Sequence, residues 1–323
     1  MTAPVVDIFL TPDHAERALH RDARLGLTSS RKWLPPKWFY DKRGSGLFEE
    51  ITKLPEYYPT RAERSILVAR SAQIARRTRA HTLVELGSGS SEKTRLLLDA
   101  LQAEGTLREF VPLDVSEAAL RDAVAALNAD YRMLAIHGVV GDFTEHLGRI
   151  PGQTPRIVAF LGGTIGNLFP DERASFLAEL RDTLVGGEWL LLGTDLVKDP
   201  GILVPAYDDA AGVTAEFNRN VLAVLNRQLG ADFDVQNYEH VAVWDPDNEW
   251  IEMRLRSRVP ARVSLSELDL DIVVEAGEEI RTEISAKFRR QGVEHELANA
   301  GFSLDCWWTD PEGRFALSLA RAL

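Results

Sequence analysis

The chain has 323 residues, 45% of them hydrophobic, with a formal net charge of −12 and an isoelectric point near 5.2, which is enough chain for one large core or two domains. The acidic balance repels a phosphate backbone, so nucleic-acid substrates are not expected, and no apolar run is long enough to span a bilayer. Cys306 is the only cysteine, which excludes an intramolecular disulfide and a cysteine-built zinc site; it is expected to be a buried thiol, and the seven histidines show no metal-ligand spacing.

The N-terminus, M-T-A-P-V-V-D-I-F-L, lacks a basic region followed by a long apolar core, so no targeting signal is read and a cytoplasmic location is expected. Leu34-Pro35-Pro36 and Leu54-Pro55 punctuate the first sixty residues, and the basic run Arg70 to Arg79 reads as the solvated face of a helix. From Thr82 an apolar strand runs into Glu85 and then into a tight loop carrying Gly87 and Gly89. Glycine there permits positive φ and removes the Cβ that would keep a ligand from the backbone. A dinucleotide fingerprint places a third glycine where this chain has Glu92, and a carboxylate beside a pyrophosphate at a helix N-terminus disfavours a phosphate ligand. The pattern resembles the first motif of class I methyltransferases, whose S-adenosylmethionine (SAM) has no phosphate.

The next strands end in the same manner. Phe110 to Val115 carries Asp114, placed to accept from a ribose diol or, alternatively, to cap the helix Ser116 to Leu127. His137 to Val140 ends at Gly141-Asp142-Phe143, where a carboxylate can accept from an adenine amino group beside an apolar face, and Arg156 to Leu161 ends at G-G-T-I-G-N, residues 162–167. In open α/β sheets such strand ends converge on one crevice. A helix from Asp171 to Val185 and a fifth strand from Glu188 to Leu196 follow.

The pattern then breaks off for roughly 90 residues, far longer than a connecting loop. This insertion reads as a helix from Tyr207 to Leu229, opened by Asp208-Asp209, and a β-meander in which Ile251, Met253 and Leu255 share one face. Its last strands are Val263 to Leu268, Asp271 to Val274 and Arg281 to Phe288. A helix at Val293 to Ala300 and a hairpin of Ser303 to Thr309 with Phe315 to Leu319 resume the interrupted core.

Six segments carry a resemblance over nearly the whole chain: P-P-K-W-F-Y-D at Pro35 to Asp41, the tyrosine-rich stretch Gly46 to Arg61, the glycine loop, F-L-G-G-T-I-G-N-L at Phe160 to Leu168, A-Y-D-D-A-A-G-V-T-A-E-F-N-R-N at Ala206 to Asn220, and T-E-I-S-A-K-F at Thr282 to Phe288. L-L-G-T-D-L-V-K-D at Leu191 to Asp199 and W-W-T-D at Trp307 to Asp310 add to it. The chain resembles the ergothioneine-biosynthesis L-histidine Nα-methyltransferases, which are SAM-dependent. The glycine loop is shared by many enzymes, whereas the tyrosine-rich entry and T-E-I-S-A-K-F are specific.

The resemblance implies an α/β fold: a Rossmann-like class I methyltransferase sheet with a second α+β substrate-binding domain inserted after the fifth strand. Residues 1–60 are then a helical segment contributing to the substrate domain, 61–196 the methyltransferase core, 197–286 the insertion, and 287–323 the helix and hairpin that complete the core. Gly87, Lys93, Asp114, Asp142 and Phe143 are implied for SAM, with Lys93 in the first turn of the helix after the loop and facing the methionine carboxylate. Asn167 is implied to hold the substrate's carboxylate and amine, with Gly162 beside it and Tyr207 donating to the same carboxylate. Glu283 and Ser285, two apart on a strand, are implied to grip the imidazole from one face, near Met253. Tyr40, Phe48 and Tyr57 are implied to form an aromatic surface for the methylated nitrogen, Tyr40 acting with Asn167 in the reaction. The expected activity is threefold methylation of L-histidine through mono- and dimethyl intermediates by a monomer, needing neither metal, membrane nor nucleic acid, with S-adenosylhomocysteine (SAH) as by-product. Methylation of another amino acid or small amine is the alternative, ahead of a non-catalytic SAM-binding module or a dinucleotide oxidoreductase.

Overall fold

A computed structural model describes residues 4–323, which divide into two compact units: 4–10, 59–197 and 287–323 form the first, and 11–58 with 198–286 the second. In chain order, β1 (Val5–Ile8) precedes α1 (Pro12–Thr28), α2 (Lys42–Ile51) and α3 (Pro59–Thr78). Then β2 (Thr82–Leu86), α4 (Arg95–Ala103), β3 (Glu109–Asp114), α5 (Glu117–Asp130), β4 (Ala135–Val140), β5 (Arg156–Phe160), α6 (Pro170–Thr183) and β6 (Trp189–Asp195) alternate. Next come α7 (Pro200–Tyr207), α8 (Val213–Leu229), β7 (Tyr238–Asp245), β8 (Trp250–Ser257), β9 (Ala261–Leu265), β10 (Leu270–Val274) and β11 (Glu279–Ala286). The chain closes with α9 (Arg290–Asn299), β12 (Phe302–Thr309) and β13 (Phe315–Ala322).

The first unit is built on an eight-stranded sheet in the order β1-β4-β3-β2-β5-β6-β13-β12. Its first six strands are mutually parallel, and β13 and β12 join antiparallel. β2 is buried along its whole length, as a central parallel strand covered on both faces must be. The chain leaves β2 toward β3 on one side and later returns to β5 on the other, so the strand order reverses at β2. The crevice at the carboxyl ends of β2, β3, β4 and β5 is therefore where this topology places a ligand.

Three expectations need correction here. Residues 4–10 are not part of a helical segment: the β-branched Val5, Val6 and Ile8 form β1, which pairs in parallel with His137–Val140 and lies in the first unit. Cys306 is half-buried rather than buried, because β12 is the edge of the sheet and its pairing slips between Leu304 and Cys306. Burial and the neighbouring Asp305 push its thiol up to about 11.

The third correction concerns the second unit, where the expected helix from Tyr207 to Leu229 is two helices. Asp209 accepts from the N–H groups of Val213 (3.0 Å) and Thr214 (2.7 Å), and Gly212 takes a left-handed φ of 75°. Asp209 thus satisfies first-turn donors of α8 rather than lying inside a helix, and Tyr207 is the last residue of α7. The same unit holds an antiparallel sheet, β11-β8-β7, and a separate β9-β10 hairpin. α2 is capped by Asp41, which accepts from Gly44 N–H at 2.7 Å and also receives Asn220 and Arg227 of α8, both at 2.8 Å.

Candidate active site

In the first unit, Gly87 (φ 68°) and Gly89 (φ 50°) turn the chain from β2 back over the end of β3, where Leu113 O accepts from the N–H groups of Gly87 (2.9 Å) and Ser88 (3.0 Å). A Cβ at either glycine would face open space within 4 Å, so what each position demands is the left-handed backbone. Between them, the Ser88 hydroxyl is buried without a hydrogen-bond partner. A buried orphan hydroxyl beside an uncovered backbone turn fits a ligand with polar groups of its own.

Asp114 clasps this loop: one carboxylate oxygen accepts from Gly89 N–H at 2.8 Å and the other from Ser116 N–H at 2.9 Å. It is not the cap of α5. That role belongs to Ser116, whose hydroxyl accepts from Ala119 N–H. Burial raises the Asp114 carboxyl, against the lowering effect of the backbone donors. At the end of β4, Asp142 is buried and closes its own turn, accepting from Thr144 N–H (2.9 Å) and Oγ1 (2.6 Å). Phe143 stands half-buried, edge-on to Phe160 (centroids 5.0 Å apart) and Phe176 (5.7 Å), which fixes its ring.

Lys93 lies before α4, not in its first turn. Thr94 is the cap residue of α4, but its hydroxyl donates to Glu85 instead of capping, and Ser91 donates to the same carboxylate at 3.0 Å. The Lys93 ammonium is paired with Glu63 of α3, a fully buried carboxylate that also accepts from Gly162 N–H at 2.8 Å. A Cβ on Gly193 would lie 2.3 Å from the same carboxylate, so β6 leaves space for Glu63 by having no side chain there. Gly162 itself has a left-handed φ of 78°. Asn167 ends a single 3-10 turn after β5, half-buried, and its side-chain amide has no hydrogen-bond partner among the described residues.

The second unit gathers the remaining residues. Tyr40 meets Phe48 and Phe217 edge-on at 5.6 Å, Phe48 meets Tyr57 at 6.1 Å, and Tyr57 meets Tyr207 at 6.4 Å. This is one continuous aromatic cluster. The Tyr207 hydroxyl lies 2.7 Å from Ser285 Oγ, so the phenol assigned to the carboxylate end stands against the serine assigned to the imidazole. Opposite β11, Met253 pairs with Glu283 and Ile251 with Ser285, so all four share a face of the sheet. The register of β11 shifts between Arg281 and Glu283, leaving Thr282 as an extra, bulged residue. Thr282, Glu283 and Ser285 are all buried.

Against known proteins, the family model for SAM-dependent histidine-specific methyltransferases matches residues 19–322. The chain belongs to that family. It is 59% identical over 312 residues to a histidine N-alpha-methyltransferase of Mycolicibacterium smegmatis, covering 97% of both chains. It is 56% identical over 311 residues to one of Mycobacterium tuberculosis, covering 96% of this chain and 97% of that one. Ergothioneine biosynthesis protein 1 of Schizosaccharomyces pombe is 32% identical over 254 residues, 75% of this chain and 32% of its own length.

Several buried polar residues of this methyltransferase carry no sign of their partners in the sequence. Glu63 sits in a basic helix and looks like an ordinary partner for its arginines; only the fold sets it against Lys93 and Gly162, 30 and 99 residues away. Glu85 was read as the strand-ending acid, yet burial pushes it up to about 7 against the hydroxyls of Thr94 and Ser91 and the charge of Lys93. Lys287 and Asp195 form a buried pair at 3.0 Å that ties the start of the C-terminal segment to the end of β6. Asn218 and Thr282 lie in segments that carry the resemblance but point to no role of their own, and His240 has no sequence signal beyond lying in the insertion. No described helix is long and apolar enough to cross a membrane.

Proposed function

We propose that this methyltransferase transfers the sulfonium methyl of SAM to the α-nitrogen of L-histidine three times, giving Nα,Nα,Nα-trimethyl-L-histidine (hercynine) in ergothioneine biosynthesis. The near-full-length similarity to two histidine N-alpha-methyltransferases carries the reading, because it spans the substrate-side segments as well as the glycine loop. The S. pombe relative, named for ergothioneine biosynthesis, supports the pathway. The reading includes a cytoplasmic monomer that takes free histidine and its mono- and dimethyl forms.

The residues of the first unit fit SAM: an uncovered glycine turn with the orphan Ser88 hydroxyl, the Asp114 carboxylate for a ribose diol, Asp142 and Phe143 for adenine, and Lys93 for the methionine carboxylate. When bound, SAM supplies an electrophilic methyl group on a positively charged sulfur. Everything else falls to the chain. Asn167 offers both kinds of contact an amino acid needs, its NH2 donating to the carboxylate and its carbonyl accepting from the amine. That amine attacks only as the neutral form, so the site must favour loss of its proton before each transfer.

In the second unit, Glu283 accepts an imidazole N–H and Ser285 serves the other ring nitrogen. When Tyr207 donates to Ser285 Oγ, the serine's own proton is available for that nitrogen. Tyr40, Phe48 and Tyr57 present π-faces to a nitrogen whose charge becomes permanent at the third methylation. Much of the acceleration then comes from holding amine and methyl in line without water. Incubation with SAM and a pool of free amino acids, read by mass spectrometry, is expected to add three methyl groups to histidine alone. Methylation confined to a different amino acid, or none, removes the proposal.

A further inference from the structure

Tyr207 is the last residue of α7, and the final carbonyls of a helix have no partner within it. The Tyr207 carbonyl is met by His240 of β7, whose Nε2 lies 2.7 Å away. A carbonyl only accepts, so Nε2 carries the proton. The other ring nitrogen, Nδ1, lies 2.8 Å from Nδ2 of Asn218, a fully buried side chain of α8. An amide NH2 only donates, so Nδ1 must present its lone pair and the ring must be neutral.

The rest of the amide is also committed. Its second proton goes to Arg254 O at 3.1 Å, and its oxygen accepts from Thr282 Oγ1 at 2.6 Å. Thr282 is the bulged residue that precedes Glu283, and its hydroxyl also lies 3.0 Å from Met253 O. A single chain of bonds therefore runs from the backbone of Tyr207, through His240 and Asn218, to the bulge that aims Glu283. Turning the Asn218 amide would set acceptor against acceptor both at His240 Nδ1 and at Arg254 O. Burial lowers the ring's pKa and outweighs the opposing pull of the Tyr207 carbonyl, of Asp208, 3.9 Å from Nε2, and of Asp209, while Arg219 acts in the same sense as burial.

We propose that His240 is a positioning residue for histidine recognition, fixing Tyr207 and the Thr282–Glu283 bulge so that the Tyr207–Ser285 pair and Glu283 keep one spacing. The proposal rests on the assignment of Tyr207, Glu283 and Ser285 to the substrate. His240 itself is not among the residues assigned to either ligand; its bonds go to Tyr207 O and Asn218. A histidine serving stability alone has no reason to weaken one ligand and spare the other, or to be replaceable by a residue that keeps only the Tyr207 bond.

Two variants separate these cases. His240→Gln can still place an N–H near the Nε2 position, whereas His240→Asn reaches only the Nδ1 position and loses the bond to the Tyr207 carbonyl. Titrating histidine into SAH-loaded protein, His240→Asn is expected to raise the dissociation constant about tenfold and His240→Gln less than about threefold, with SAH affinity unchanged in both. In a Ser285→Ala background the asparagine effect should shrink, since both changes act on one pairing. Thr282→Val, nearly isosteric, tests the far end of the chain and is expected to weaken histidine about threefold without affecting SAH; it decides the matter if His240→Asn does not fold. Wild-type histidine affinity in His240→Asn, equal losses for histidine and SAH, or full additivity with Ser285→Ala would each overturn the proposal. A parent protein that binds SAH but not histidine would instead overturn the functional reading beneath it.

Discussion

Replacing Asp114 by asparagine tests the cofactor end most directly, because the carboxylate has two structural duties before any ligand arrives. One oxygen holds Gly89 N–H at 2.8 Å and the other Ser116 N–H at 2.9 Å. Asparagine keeps one acceptor oxygen and turns an NH2 toward the other N–H, so one of the two bonds is lost. A hydrogen bond to a charged group contributes about 1.5 to 3 kcal/mol. If that loss appears as loosening of the glycine loop and weaker reception of ribose hydroxyls, the SAH dissociation constant should rise about 10- to 150-fold. Asp114→Ala, which loses both bonds, should lie at or beyond the upper end, while histidine affinity of the SAH-loaded protein suffers less. Calorimetric titration with SAH reads the effect, and a thermal melt confirms that the variant is folded. A folded asparagine variant that binds SAH within threefold of the parent would refute the reasoning and leave Asp114 a strut of the loop.

Glu85→Gln should flatten the pH dependence of stability. Its carboxyl rises from 4.5 to about 7 on folding, so the folded state holds the proton more tightly and stability falls, by about 3 kcal/mol, as pH rises through that window; denaturant melts of both proteins from pH 4.5 to 8 check it, and parallel curves would reject it. Glu283→Ala should weaken histidine and dimethylhistidine alike, by more than Ser285→Ala, since a charge-assisted bond is worth about 1.5 to 3 kcal/mol and a neutral one about 0.5 to 1.5; wild-type affinities in SAH-loaded variants would place the selecting groups elsewhere. Asn167→Ala should depress turnover strongly while SAH still binds, and turnover at the parent rate would reassign the asparagine to structure.

The parallel sheet was legible because each strand is a short apolar run ending in glycine or an acid, and those ends are both the fold signal and the ligand signal. Gly87, Asp114 and Asp142 could be found this way without knowing any contact. Local chemistry was misread wherever a side chain had a distant partner. Lys93 reads as part of the first turn of the next helix, yet Glu85 takes the hydroxyl of Thr94 and α4 begins only at Arg95. Asp208-Asp209 signals a helix start in the sequence but one turn too early, because Tyr207 ends α7 and α8 begins only after Gly212. On β11, period-two alternation placed Glu283 and Ser285 on one face correctly, yet it would have sent Thr282 to the other; only the bulge turns it inward. A bulge depends on the partner strand, so it has no signature in β11 alone.

On the proposed assignment, the two units prepare for their ligands in opposite ways, and this decides how each should respond to mutation. The glycine loop leaves Ser88 Oγ without a protein partner and a Cβ at Gly87 or Gly89 would meet nothing within 4 Å, so part of its polar capacity is open to a ligand. Substitutions there should register mainly in SAH affinity and little in the stability of the ligand-free protein. The insertion, by contrast, satisfies His240, the Asn218 donors and Thr282 internally before histidine arrives. Buried networks of that kind cost most when half broken, because the abandoned group keeps its desolvation penalty. Losing one of their members should therefore register twice, as a lower melting temperature and as weaker histidine binding. Under the proposed function the same preparation would let one site serve histidine and its two methylated intermediates: methylation changes only the α-nitrogen, so a grip on the imidazole that is rigid in advance need not be rebuilt between transfers.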